Sequence, residues 1–427
     1  MSTQRYDRLH PESDDNRTPA QRDCDRVLYT SAFQRLAEVT QVVSPDEGHV
    51  FHNRLTHSLK VAQVARRMAE RLVQDHGRRV RDVGGIDPNV VEAASLAHDL
   101  GHPPFGHIAE EELDRFATGH DLAEGFNGNA QSFRIVTKLA LRREEYPGLN
   151  LTRATLNAIL KYPWTRGSSG DKQKKWGAYF TEQEDFDFAR ELMKGDGDIR
   201  GAEADLMNLA DDITYAVHDV ADFYRAGLIP LHRLASRKSV ERKRFYEGVF
   251  SRPEFDSRSA RRLRGAFGRL AQFIPFEFPY SGTAKDRSHL RLYTAGLISV
   301  YVRRGVEIER GSPGDTPRLR VDPETALELN ILHELTWYYV IRNPSLATQQ
   351  HGQREVIRTL LEIFHGAANT PDEMAVFPQP FQELLKDARG PEDMTRIVCD
   401  YIAGLTERQA LNLHLKLTGV RPGSALH

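Results

Sequence analysis

One stretch limits what this chain can be more than any other. Residues Asn89 to Leu100 run NVVEAASLAHDL, an apolar segment that reads as a buried helix and ends on an adjacent His98–Asp99 pair. Gly101, Pro103 and Pro104 follow at once and stop the helix abruptly. A buried aspartate is rarely left without a partner, and a cation is one way to compensate it. A lone His–Asp dipeptide would be read as a hydrogen bond at a helix C-terminus. Here His102 and His107 bring the histidines to three within ten residues, beside a forced turn. Neighbouring helix positions project about 100° apart, yet both side chains can reach an ion near the helix end. The stretch predicts a metal centre at the end of a buried helix.

Two other segments offer ligands. His57 stands near the start of an amphipathic helix, Arg54 to Val73, in which Leu55, Leu59, Val61, Ala62, Ala65, Met68, Ala69 and Leu72 follow a period near 3.6. Asp211 stands in LADDITY, where two carboxylates interrupt an apolar helix expected near 203–226. Asp211, Tyr215 and Asp219 fall at i, i+4 and i+8, hence on one face. A polar stripe of that kind is usually solvated, but apolar surroundings make it the lining of a site. Two imidazoles and two carboxylates give a mixed nitrogen and oxygen shell that suits Mn²⁺, Mg²⁺, Fe²⁺ or Co²⁺ with open positions. A zinc ion with four protein ligands would be closed and structural instead.

The remaining sequence excludes several classes. Hydrophobic residues make up 40 % and charged residues 28 %, with formal net charge −2, so the whole molecule does not read as a nucleic-acid binder, although a local basic patch could bind an anion. Cys24 and Cys399 are the only cysteines and form no CxxC pattern, which argues against a disulfide framework and for a reducing cytoplasm. The polar start MSTQRYDRLHPESDD carries no apolar signal region, and no apolar run nears the ~20 residues that cross a bilayer. Residues 1–20 read as a disordered tail, 21–230 as a helical core, and 231–427 as a helical region packed on it. Further helices are expected near 127–142 and 150–160, with a polar, basic loop over 165–177. Residues 301–321 suggest a hairpin turning at SPGD, and the basic stretch 233–270 reads as a solvated face or subunit contact, with an anion site as its rival. The expected fold class is all-α with at most that hairpin.

Taken together, the motifs resemble the HD-domain deoxynucleoside triphosphate triphosphohydrolases, the dGTPase-like proteins. The resemblance is carried in order by QRDCDRVLYTSAFQRLAEVTQV (21–42), HNRLTHSLKV (52–61), AHDLGHPPFGHIAEEEL (97–113), GFNGNAQSFRI (125–135), LTRATLNAILKYPW (151–164), MNLADDITYAVHDVAD (207–222) and CDYIAGLTERQA (399–410). Cys24 and Asn127 depart from the commonest pattern. The resemblance implies hydrolysis of a dNTP to deoxynucleoside and inorganic tripolyphosphate, a homo-oligomer, and room for a regulatory nucleotide or single-stranded DNA. It implies His57, His98, Asp99 and Asp211 as metal ligands, Asp211 rather than Asp212 because it keeps the register with Tyr215 and Asp219. It places His102, His107 and Glu110 in catalysis, Arg54 and Lys175 on the phosphates, and Gln41, Tyr215 and Asp219 on the sugar.

The chemistry asks for these residue types. Attack at phosphorus needs negative charge neutralised, and proton transfer near neutral pH suits an imidazole held by a carboxylate. His107 and Glu110, at i and i+3, can meet on one helical turn. Two rivals stand beside this reading. One is another HD enzyme, a nucleoside monophosphate 5′-phosphohydrolase or cyclic nucleotide phosphodiesterase; the other is a nucleotide-sensing or nucleic-acid-binding protein with a vestigial site.

Overall fold

The structure, a computed structural model, describes residues 3–13, 15–40, 53–167, 170–193, 197–309, 318–342 and 344–419. Helix starts follow local chemistry. Helix α1 (Pro19–Leu28) opens on a capping box between Thr18 and Gln21, and α2 (Arg54–His76) on Asn53, whose side chain accepts from the Thr56 amide. Helix α3 (Pro88–Ala97) starts on Asp87 with proline in its first turn, and seven of its ten residues are buried. The motif helix α4 (His107–Gly119) follows, then α5 (Gly128–Arg134), α6 (Arg153–Ile159) and the long α7 (Ala202–Arg225). Helices α2, α3 and α7 pack against one another, so the metal motif of α3 lies between two long helices.

Most inward positions of α2 are those its period selects, with Val61, Ala62, Ala65, Met68, Ala69 and Leu72 buried. Leu59 is the exception at 43 % exposed, since it lies at the edge of the stripe. Helices α8 (Val240–Phe250), α9 (Ser257–Leu270) and α10 (Ala284–Arg304) complete the core over α7. Along α9 Leu263, Ala266, Phe267 and Leu270 are buried, while Arg258, Arg261, Arg262 and Arg264 face outward. Strands β1 (Val306–Glu309) and β2 (Arg318–Val321) pair antiparallel, Val306 opposite Val321; the SPGD turn lies outside the described residues. Helix α11 (Pro323–Thr336) returns to α7. Helices α12 (Pro344–Ala368), α13 (Pro391–Ala403) and α14 (Glu407–Leu417) share a separate apolar core with α4. None of the described helices is long and apolar enough to cross a membrane.

The N-terminal segment corrects one expectation. Its described part is packed rather than a loose tail. Arg5, 5 % exposed, donates to Glu203 at 2.6 Å and to the Gly84 carbonyl at 2.7 Å. Tyr6 donates to Asp87 at 2.8 Å, and Arg8 to Asp23 at 2.6 Å. Composition suggests disorder because these side chains are polar, yet each has a partner far along the chain.

Candidate metal centre

The centre is assembled where α3 ends. His98 caps that helix, and its Nδ1 lies 2.6 Å from the Ser95 carbonyl oxygen. A carbonyl only accepts, so Nδ1 carries the proton and Nε2 keeps its lone pair. That Nε2 is buried and has no hydrogen-bond partner. Around it stand Asp99 Oδ1 at 3.5 Å and Asp211 Oδ1 at 3.6 Å, while His57 Nε2 lies 3.0 Å from the same Asp211 oxygen. Ligand atoms of His57, His98 and Asp99 all fall within 4.8 Å of one another. Adjacent ligands of an octahedral ion with bonds of ~2.1 Å stand roughly 3 Å apart, so His57, His98 and Asp99 fit a divalent cation, and Asp211 adjoins them at His57 and His98.

Each carboxylate is held from behind. Asp99 Oδ2 accepts from Arg54 Nη1 at 2.8 Å, and its Oδ1 lies 3.0 Å from His102 Nδ1. Asp211 Oδ2 accepts from Lys161 Nζ at 2.9 Å. Burial pushes both carboxyls up, but the groups beside them outweigh it and hold both well below the usual carboxylate range: the His98 and His102 imidazoles and the Arg54 guanidinium for Asp99, the Lys161 ammonium and the His57 and His98 imidazoles for Asp211. Asp212 turns away and lines a separate cavity with Arg200 and Asp205.

Beside this cluster lies a second one, His102, His107 and Glu110. Phe105 and Gly106 both take left-handed backbone, at φ +65° and +60°, so the chain reverses tightly before α4. A side chain at Gly106 would also come within 3.1 Å of Arg54 Nη2. The reversal brings the His107 ring to 5.6 Å from that of His102, edge to face. His107 Nδ1 donates to Glu110 Oε2 at 2.8 Å, which leaves Nε2 to exchange a proton. The other Glu110 oxygen accepts from Asn127 Nδ2 at 2.9 Å and the Gly128 amide at 3.0 Å, with Lys175 Nζ at 3.3 Å. Glu110 is buried while His107 is exposed, so the dyad has a fixed root and an open tip. Burial, followed by Arg54, pushes the His102 imidazole down to about 4, so it stays neutral near pH 7.

Along α7, Tyr215 sets its ring 5.4 Å from that of His333 on α11. Asp219 is 6 % exposed, its Oδ2 has no hydrogen-bond partner, and burial with Asp222 pushes its carboxyl well above the usual range. Gln41 lies outside the described residues.

Comparison with known proteins decides the family. Residues 54–195 match the HD domain, and residues 319–416 the phosphohydrolase-associated domain. A deoxyguanosinetriphosphate triphosphohydrolase-like protein of Streptomyces coelicolor is 36 % identical over 429 residues, covering 96 % of this chain and 95 % of that one. Proteins of the same description from Corynebacterium efficiens and Wolinella succinogenes are 35 % and 32 % identical, over 95 % and 96 % of this chain and 92 % and 98 % of theirs. The chain belongs to the HD-domain, dGTPase-like phosphohydrolase family.

Within this dGTPase-like chain the geometry adds residues that sequence reasoning missed. Lys161 stands in the quoted block LTRATLNAILKYPW, yet nothing local marks it as the partner of Asp211. Asn127 was noted only as a departure, but it both caps α5 and anchors Glu110. Glu407, in the first turn of α14, accepts from the Thr40 amide and hydroxyl, each at 2.7 Å, and from the Phe105 amide at 3.1 Å. It ties the C-terminal helices to the turn that carries His102 and His107.

Proposed function

We propose that the chain hydrolyses a deoxynucleoside triphosphate to deoxynucleoside and inorganic tripolyphosphate. The observation that supports this most is the order of groups around the four ligands. The His107–Glu110 dyad, with Lys175 at Glu110, adjoins the cluster through His102, and Tyr215 and Asp219 continue along the helix of Asp211. A nucleotide with its α-phosphate at the centre would have cationic and proton-exchanging groups for its phosphates and a polar helix face for its sugar within reach. The relatives' description as deoxyguanosinetriphosphate triphosphohydrolase-like supports the same substrate class.

In this reading His57, His98, Asp99 and Asp211 hold one divalent cation, Mn²⁺ or Mg²⁺ before Fe²⁺ or Co²⁺. Such an ion supplies Lewis acidity at the phosphoryl oxygens. Arg54 orients Asp99 and, with Lys175, adds positive charge for the phosphates. The oxygen of water bonds to the α-phosphorus while the bond from that phosphorus to O5′ breaks. The His107 Nε2 exchanges a proton with the attacking water or with O5′, and Glu110 fixes the ring through Nδ1. His102, neutral and buried against Asp99, keeps that carboxylate in place. Asp219 and Tyr215 meet the sugar, Asp219 through the 3′-hydroxyl, and Gln41 joins them in the family's pattern. Homo-oligomer formation and a reducing cytoplasm belong to the same proposal, the latter supported by two buried, free cysteines.

The test is product analysis. Each of the four dNTPs is incubated with the protein and Mn²⁺ or Mg²⁺, and products are separated by ion exchange. Tripolyphosphate and deoxynucleoside in equal amounts, abolished by a chelator and restored by the metal, are expected. Orthophosphate or pyrophosphate as the first product would overturn the assignment in favour of another HD phosphohydrolase.

A further inference from the structure

A second pocket lies further along the same helices. Asp222 follows Asp211 by eleven residues on α7, about 16 Å along the helix axis. Beside it a cavity of about 280 Å³ opens between α2, α7 and α10. Lys60 of α2, Arg225 of α7, and Arg287 and Arg291 of α10 line it, with Tyr280 at its rim. Asp222 is the one carboxylate among its described lining residues.

Four cations against one anion is an unusual wall for a chain whose net charge is −2. Arg225 lies 3.6 Å from Asp222, but its Nε is buried without a hydrogen-bond partner. Arg287 and Arg291 stand one turn apart on the same face of α10, where like charges repel. Among the described residues neither has an ion pair, and both are exposed. Burial pushes the Lys60 ammonium down to about 8 even with Asp222 beside it. An arrangement that is unfavourable when empty of anions becomes favourable once an anion sits among the cations.

We propose that this pocket is a second anion site, distinct from the metal centre, which takes the phosphoryl group of a small phosphate-bearing molecule. Guanidinium forks match phosphate oxygens in pairs, and three of the four cations are arginines. The volume falls below the roughly 300–1,000 Å³ that encloses a drug-sized ligand, so a phosphate or polyphosphate group enters and any organic part stays outside. The walls are the helices that carry His57 and Asp211, so a bound anion rests on the framework of the metal centre without touching its ligands.

The test uses calorimetric titration of the full chain, stripped of metal with a chelator, at low salt. Orthophosphate, inorganic tripolyphosphate and deoxyadenosine 5′-monophosphate are the probes. Saturable binding of at least one is expected, weakened at least tenfold in Arg287→Glu/Arg291→Glu and less than twofold in Lys175→Ala. Thermal melting of the double variant should match wild type, because both arginines are exposed; Arg287→Gln/Arg291→Gln serves if it does not. Equal affinity for orthophosphate and the nucleotide supports a phosphoryl site alone, and tighter tripolyphosphate or nucleotide binding supports a larger ligand of the same chemistry. No saturable binding of any probe, unchanged affinity in the double variants, or loss in Lys175→Ala instead would overturn the proposal. The outcome does not depend on hydrolysis, so it stands or falls apart from the dNTP reading.

Discussion

Glu407 is where the C-terminal helices grip the turn that carries His102 and His107, and removing its carboxylate should loosen both the fold and the proposed reaction. Glu407 is 9 % exposed, and its carboxylate accepts three hydrogen bonds, from the amides of Thr40 and Phe105 and the hydroxyl of Thr40. Glu407→Ala leaves two backbone N–H groups without an acceptor, while the hydroxyl can rotate to another. At ~1–3 kcal/mol for each buried donor left unpaired, the expected loss of stability is roughly 2–6 kcal/mol. Phe105 also holds left-handed backbone, a conformation that costs about 1–3 kcal/mol and persists only where its surroundings enforce it. Freed of Glu407, the turn should relax and carry His107 away from His102. A fall in kcat of at least tenfold is expected, on top of the lower stability. Glu407→Gln is the control. Its amide oxygen still accepts both N–H groups, and its amide nitrogen can donate to the Thr40 hydroxyl, so it should stay within about 1 kcal/mol of wild type. Urea unfolding of both variants, with steady-state kinetics in the absence of urea, reads the two effects separately. A Glu407→Ala protein with the wild-type midpoint and the wild-type kcat would refute the reasoning.

Lys161→Ala should lower metal affinity by about 10–100-fold, the usual effect of losing a group that orients a ligand, as measured by elemental analysis after dialysis against buffered metal; full occupancy would remove Lys161 from the centre. His107→Ala should leave metal content intact and lower kcat by roughly 10²–10⁴-fold; loss of metal instead would make His107 a ligand. Asp219→Ala should lower kcat/KM for dNTPs about tenfold to a few hundredfold and nearly erase discrimination against 3′-deoxy analogues. Wild-type kinetics with that discrimination retained would return Asp219 to an ordinary buried helix position.

What was legible in the sequence follows from how local each signal is. His98 and Asp99 are covalent neighbours at the end of an apolar helix, so burial, the helix stop and the ligand pair can be read from one short segment. His57 and Asp211 were legible only through the order of motifs, since each alone is an ordinary helix residue. The supporting contacts were not legible, because they join segments that periodicity cannot connect. Lys161 reaches Asp211 across 50 positions, and Glu407 reaches Thr40 across 367. The N-terminal segment fails for the same reason in reverse. Arg5 is polar and reads as solvated, but its partner Glu203 is 198 positions away on α7.

Those contacts also bear on the proposed chemistry. In the proposed centre the carboxylates of Asp99 and Asp211 bring two negative charges, and the side chains behind them, Arg54 and Lys161, bring two positive ones. With His57 and His98 neutral as ligands, the protein part of the centre sums to zero. The charge of a bound divalent ion would then be left for phosphate oxygens instead of being spent on its own ligands, and a polyanion is the class of molecule that such a site attracts. Had the second oxygens of Asp99 and Asp211 faced neutral donors, the two carboxylates would have offset the ion's charge and left less of it for an anionic substrate. The difference lies in Arg54, three residues before His57, and Lys161, two residues beyond the end of α6, neither of which is a ligand.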